Sequence, residues 1–340
     1  MAVGARFLGA GLILTATVVI SLWLGPARVT PGEVWAILSG GEVRAVARLI
    51  VLDVRLPRIL MACLAGAALG VAGLAMQTLF RNPLADPYIL GLSSGASLGV
   101  AAVILVIGGA GAATLTAGLD LAGDLAIVVA AALGSALVML LVLVLGRAVR
   151  SSVSLLLIGV MLGYLTSAGV SVMISFSTPE LIAAYARWGF GSYGGVTWGN
   201  LRIITIAILI GLLGAGALLK TLDSLLLGER YAASLGVRVR RDRGLLIAVT
   251  SVLAGTVTAF CGPIQFLGIA IPHVARGVFH TSSHRVLIPA TALLGACIAL
   301  LADLIATLPG DGVLPLNAVN AAFGAPVVIW LLIRRRRWEL

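Results

Sequence analysis

Ten apolar stretches, each near the 20 residues that a helix needs to cross a bilayer, confine this chain to a bundle of membrane-spanning helices. They run at about 6–25, 57–80, 88–108, 124–146, 152–175, 201–220, 244–262, 264–280, 286–306 and 315–333. The eighth is short for a full crossing and reads as a broken or tilted helix. Only 11% of residues are charged, against about 25% in a soluble domain, and the aqueous segments are too short to hold a catalytic domain. Residues 1–25 read as the first span, because Gly25-Pro26 offers no convincing small-x-small cleavage site. Cys63, Cys261 and Cys297 lie in separate apolar segments, the pattern of buried inert thiols rather than of a metal site.

The net charge of +10 is not a nucleic-acid signal, because the basic residues occupy short loops and the C-terminus. With the N-terminus inside, the cytoplasmic set is Arg6, Arg81, Arg147, Arg150, Lys220, Arg230, Arg238, Arg240, Arg241, Arg243, Arg276, Arg285 and Arg334 to Arg337. The external set is Arg28, Arg44, Arg48, Arg55, Arg58, Arg187 and Arg202. Sixteen against seven predicts both termini in the cytoplasm, with Trp330 and Trp338 as interface anchors and the arginine tail at anionic headgroups.

The junction Arg81-Asn82-Pro83-Leu84-Ala85-Asp86-Pro87-Tyr88-Ile89-Leu90-Gly91-Leu92-Ser93-Ser94-Gly95-Ala96 carries more chemistry than a membrane turn requires, and so marks a working part of a transport path. The outer loop 26–56 predicts a short helix lying on the membrane. The inner loop 220–243 is the most polar part of the chain, with Gly228 and Gly236 punctuating two short helices that suit a partner's groove. Its apolar positions are Leu225, Leu226, Ala232, Ala233 and Leu235. The outer stretch Arg187–Trp198 is rich in glycine and aromatics, with Trp188 and Trp198 placed as in an aromatic belt. Leu64-Ala65-Gly66 with Gly73 recurs as Leu253-Ala254-Gly255 with Gly262, five spans later, the spacing of an inverted repeat.

Several ordered motifs along nearly the whole length resemble the FecCD family, the permeases of binding-protein-dependent ABC importers for iron-siderophores, haem and vitamin B12. They are Arg55-Leu56-Pro57-Arg58, the 81–96 junction, Leu155–Val160, Gly228-Glu229 through Leu235-Gly236, Gly262-Pro263-Ile264, Gly268, Pro272-His273-Val274-Ala275-Arg276, Leu301-Ala302-Asp303-Leu304 and Gly324-Ala325-Pro326. The resemblance implies an all-α polytopic permease of the type II importer class, with about ten spans in two inverted five-helix repeats. It implies one permease domain over 1–340, with pseudo-repeats at about 1–175 and 201–333 and coupling helices at about 221–243. The implied home is the cytoplasmic (inner) membrane. The implied partners are a second copy of the chain, two ATP-binding subunits, a periplasmic or lipid-anchored substrate-binding protein and membrane lipid, without nucleic acid. No cofactor is expected on this chain, with ATP and Mg on the partner ATPase.

Residue roles follow from the same resemblance. Arg55 and Arg58 match basic residues that receive carboxylates of the binding protein, a role that two exposed guanidiniums would suit. Gly228, Glu229, Arg230, Ala232, Leu235 and Gly236 match the surface coupled to the ATPase. Asn82 and Leu84 match an inner gate, Ser151 and Ser152 a second gate segment, and Gly159, Gly163, Ser167 and Ser171 the path-lining fifth span.

Competing readings are weaker. Gly214-Ala215-Gly216-Ala217-Leu218-Leu219-Lys220-Thr221 approaches a phosphate-binding loop but has Leu219 where glycine is required. His273, His280 and His284 have no Cys or carboxylate beside them in sequence, so no metal ligands are assigned. No paired catalytic constellation marks an intramembrane enzyme, and no catalytic residues are assigned. An ion-coupled secondary transporter needs ionisable groups inside the membrane, and Asp303 is the only acid clearly inside a span. Such a carrier would fail with Asp303→Asn and ignore changes at 228–236, whereas the importer would do the reverse.

Overall fold

The computed structural model describes residues 2–108, 120–149, 151–308 and 312–335. Arg150, Arg336, Arg337 and Trp338 lie outside the described residues, as do the side chains of Ser152, Trp330, Arg334 and Arg335. Helices joined by turns and short irregular segments make up what is described. In chain order they are α1 (Ala2–Trp23), α2 (Pro31–Ser39), α3 (Ala45–Leu49), α4 (Leu56–Phe80), α5 (Leu92–Ala101), α6 (Asp120–Gly146), α7 (Ser152–Ser175) and α8 (Pro179–Gly189). There follow α9 (Trp198–Ala217), α10 (Leu219–Leu225), α11 (Glu229–Ser234), α12 (Val239–Cys261), α13 (Leu267–Phe279), α14 (His284–Thr307) and α15 (Leu316–Arg335).

Among the described residues seven helices are long and apolar enough to cross a membrane, and shorter apolar helices at Leu92–Ile107, Leu267–Phe279 and Leu316–Ile329 supply the third, eighth and tenth of the expected spans. The third is interrupted: residues 82–86 are non-helical, Pro87–Leu90 form a 3-10 turn, and α5 then continues into a π-helical stretch, Ala102–Ile107. We call the end of the bundle that carries the α10–α11 turn the basic end.

The outer loop is less loop than expected. Thr30 caps α2 reciprocally with Glu33, and the Arg44 guanidinium and the Thr30 N–H, both donating to the Glu33 carboxylate, lower its pKa to about 2. From Ala45 the chain runs helically to Phe80. Pro57 has no N–H and would break the helix at this point. The backbone instead widens to a π register over Ile50–Arg55. That register leaves the Leu52 carbonyl facing Pro57, and the Trp198 indole N–H donates to it at 3.0 Å. Trp198 is thus a specific bond as well as an interface aromatic. The stretch 179–189 is likewise helical, so Arg187 and Trp188 sit in the last turn of α8 rather than in a loop.

At the centre stands α4. Of its most apolar stretch 78% is buried, against 56% for α12 and α14 and 11% for α1. It packs on α14, α13 and α12. Small residues permit this, since in lipid helices associate by close packing rather than by hydrophobic exclusion. A Cβ on Gly66 would collide with the Gly295 carbonyl, and one on Gly73 with the Gly268 carbonyl. The two halves share a packing order: α5 lies on α6 and α7, as α13 lies on α14 and α15. The repeated Leu-Ala-Gly follows it, with Gly66 facing the ninth span and Gly255 facing Ser135 of the fourth.

Gly66→Val and Gly73→Val are therefore expected to destabilise the purified chain by about 3 kcal/mol or more. Gly216→Ala, where nothing lies within 4 Å, should leave stability unchanged or raise it by about 0.5 kcal/mol. Thermal unfolding of the three variants in detergent checks the contrast.

Candidate functional site at the broken third span

Arg81 ends α4 in the left-handed conformation at φ 48°, its N–H turned back to the Gln77 and Thr78 carbonyls. The chain then re-enters the bundle as a non-helical strip, a turn over residues 82–85 followed by extended backbone at Asp86. The Asn82 side-chain oxygen accepts from the Leu84 N–H at 3.0 Å, and the Asp86 carboxylate caps the 3-10 turn by accepting from the Tyr88 N–H at 2.8 Å. Gly91, at φ 79°, opens α5. Two walls fit this strip closely. A Cβ on Gly268 of α13 would lie 2.5 Å from Pro87 Cδ, and one on Gly159 of α7 would lie 2.7 Å from Leu90 Cα.

Polar bonds from α13 and α12 hold the strip at several heights. His273 Nε2–H donates to the Pro83 carbonyl at 2.8 Å. Arg276 donates to Gln77 Oε1 at 2.7 Å, and Gln77 Nε2 donates to the Ile269 carbonyl at 3.2 Å. The Tyr88 hydroxyl accepts from Thr258 Oγ1 at 3.2 Å and from the Ile264 N–H at 3.4 Å. Arg276 and His273 belong to the Pro-His-Val-Ala-Arg motif, so that motif clamps the junction. His284 also serves a bond within the chain: Nδ1–H donates to Asp223 Oδ1 at 2.7 Å, and Nε2 lies 3.0 Å from Thr78 Oγ1. Asp223 accepts in addition from the His284 backbone N–H at 2.9 Å, capping α14.

Asp223 lies in α10, so this relay leads from the junction to the polar loop. A second link is steric. Gly228, at φ 101°, separates α10 from α11, and the Arg81 guanidinium sits where its Cβ would project, 3.3 Å away. The loop has the two short helices expected, punctuated by Gly228 and by Gly236 at φ 85°. Its faces need correction. Leu225 and Ala232 are buried in a core cluster with Met76, Leu79 and Leu246, so Ala232 anchors α11 instead of offering a contact surface. Leu226, Leu227, Tyr231 and Leu235 are its large exposed apolar side chains, and Ala233 is exposed beside them.

The two expected docking arginines are also corrected. Arg55 sits in the π turn, 7% exposed, and donates to the Leu22 and Trp23 carbonyls at 2.6 Å and to the Ala27 carbonyl. It satisfies the open C-terminus of α1. Arg58 makes a two-pronged ion pair with Asp303 of α14, with contacts of 2.8 to 3.1 Å. Neither is the exposed guanidinium the sequence suggested. Arg28 and Arg48 at the same end are exposed.

Two faces of α7 separate residues grouped together from sequence. Gly159 and Gly163 pack inward on Leu90, Gly91 and Ser94. Ser167 and Ser171 lie on the exposed face with Met161, Tyr164 and Val172. Ser151 caps α7, accepting from the Ser154 N–H at 3.0 Å. Gly214–Ala217 lie inside α9, where no loop cradles a phosphate. Sequence reasoning missed Gln77 and Thr78, and it gave no role to Tyr88 or Asp223 within the stretches it singled out. The only signal was their polarity beside an apolar run.

A model of the FecCD transport family matches residues 13–334. The vitamin B12 import system permease protein BtuC of Klebsiella pneumoniae subsp. pneumoniae is 38% identical over 329 residues, 96% of this chain and 93% of that protein. The protein of the same name from Escherichia coli O9:H4 (strain HS) is 36% identical over 327 residues, 96% of this chain and 94% of its own. Among solved structures, an ABC transporter described as metal-chelate type, in an inward-facing conformation, superposes with a TM-score of 0.83. It is 30% identical, and the match covers 97% of this chain and 99% of that one.

Breaking a largely buried ion pair from one side costs roughly 3–5 kcal/mol. Asp303→Asn and Arg58→Met should each cost about that much, and Arg58→Met with Asp303→Leu should recover a large part. Denaturation midpoints of the three variants decide it, and independent additive losses would mean that the two residues do not act as a pair.

Proposed function

Because this chain belongs to the FecCD transport family, we propose that it is the membrane-spanning permease of a binding-protein-dependent ABC importer for a corrinoid or iron chelate, with cobalamin first among them. The observation that carries the reading is the family match over nearly the whole length. The named relatives import vitamin B12, and the superposed structure is of metal-chelate type. A second copy of the chain, two ATP-binding subunits and a substrate-binding protein complete the assembly. The exposed apolar residues around Gly228 would enter a groove of the ATP-binding subunit. Arg230, Glu229 and Leu235 flank the same surface.

The geometry supports a route for coupling. Movement of the α10–α11 turn would press on Arg81 at Gly228 and pull on Thr78 through Asp223 and His284. Both act on the turn at Asn82 and Leu84, the inner gate. Ligands that bind one state more tightly then shift the population between inward-open and outward-open forms. Ser151 and Ser152 would form the second gate segment, and the exposed face of α7 bearing Ser167 and Ser171 would line the path against the second copy. Binding-protein docking falls to Arg28 and Arg48, since Arg55 and Arg58 are engaged within the chain. Asp303 is held by Arg58, which makes it a structural ion and weakens the ion-coupled alternative.

The test is uptake into proteoliposomes containing this chain with its ATPase and binding protein, comparing labelled cobalamin, haem and a ferric siderophore. Uptake is expected to require hydrolysable ATP and to favour cobalamin. Uptake that ignores ATP but collapses with an ionophore would overturn the reading. In the same assay Gly228→Val, which adds bulk against Arg81 at a positive φ, should lower transport at least tenfold while ATP hydrolysis continues.

A further inference from the structure

We infer that the cleft between the end of α6 and the start of α12 is a binding site for an anionic phospholipid. The cleft is about 770 Å3 in volume, and its accessible apolar wall is formed by Leu143, Val239 and Leu245, backed by the buried Val142, Leu155 and Ile247. Its rim carries Arg147, Arg238, Arg240, Arg241 and Arg243. Five guanidiniums around one opening repel one another, and the single carboxylate within the run 238–243, Asp242, does not balance them. The ion pairs Arg44–Glu33, Arg58–Asp303 and His284–Asp223 all lie elsewhere. The nearby carboxylate, Asp242, accepts from Thr221 Oγ1 at 2.9 Å.

The five divide by their bonds. Arg243 is buried and donates to the Val149 carbonyl at 3.1 Å, and Arg240 donates to the Arg147 carbonyl. These two close the C-terminal end of α6, where a cation suits the helix dipole. Arg147, Arg238 and Arg241 are exposed and have no protein acceptor among the described residues. They surround the start of α12, a helix of 23 residues whose N-cap residue makes no side-chain capping bond. Cations beside an open helix N-terminus are an unfavourable combination that a bound anion relieves.

The shape decides which anion. A free phosphate or nucleotide would use the rim but leave the apolar wall wet. A phospholipid uses both, with its phosphodiester among the three free guanidiniums and its acyl chains along Leu143, Val239 and Leu245. The cleft also lies at the ends of two membrane-spanning helices, the depth at which headgroups sit. Zwitterionic lipids bring their own cation and gain less. Bound there, the lipid would brace the α6–α7 turn at Ser151 against the start of α12. This inference stands whether or not the transport reading holds.

The experiment is native mass spectrometry of the full-length chain, in the oligomer it forms, after delipidation and titration with phosphatidylglycerol, cardiolipin or phosphatidylcholine. Anionic lipid should be retained over phosphatidylcholine. Arg147→Gln with Arg238→Gln and Arg241→Gln should weaken retention about fivefold per arginine, on the order of 100-fold in all. Arg187→Gln with Arg202→Gln, exposed at the opposite end, should leave it unchanged. Equal binding of phosphatidylcholine would overturn the proposal, as would retention unaffected by the triple substitution. Displacement by inorganic phosphate would make the cleft an ion site. Loss of the lipid when the ATPase assembles would make it a protein interface. Either result refutes the lipid site.

Discussion

Everything near the junction depends on how closely α4 approaches α13 and α14. In a membrane no exclusion of water drives helices together, so backbone proximity and the polar bonds it permits must do so. Gly66 against Gly295 and Gly73 against Gly268 bring the axes near enough for Gln77 to reach both Arg276 and the Ile269 carbonyl. Gly268 then has a second neighbour in Pro87. One glycine therefore sets two distances, α13 to α4 and α13 to the re-entrant strip.

Charged groups in this bundle are mostly fasteners. Arg55 closes the end of α1, Arg58 ties α4 to α14, and Arg243 closes α6. Each is an arginine, which offers several donors in a fixed plane to carbonyl or carboxylate groups. These ionisable side chains are spent on internal bonds, and the exposed face of α7 offers small, hydroxyl and apolar side chains.

The spans and the punctuation of the polar loop were legible in the sequence, because apolar runs and glycines act locally. Partners were not. Arg58 and Asp303 lie 245 residues apart, and no local pattern joins them. Pro57 reads as a helix start, so Arg55 was placed in a loop, whereas a widened register carries the helix through it. The inward placement of Gly159 was hidden because α7 is apolar on nearly every side, which leaves no periodic signal to tell a packed face from an exposed one. Ala232 misled for a related reason: a six-residue helix holds too few positions to reveal its buried side.

The continuous helix from Ala45 to Phe80 has a mechanical consequence. Its 36 residues span roughly 54 Å, while the hydrocarbon layer is about 30 Å thick. It is thus a lever longer than the layer it crosses, gripped near its middle by glycine contacts. A tilt of about 5° would swing one tip by roughly 5 Å relative to the other. The far tip is Arg81, so a push applied beyond one surface of the bilayer would arrive, undiminished by any loop, at the other.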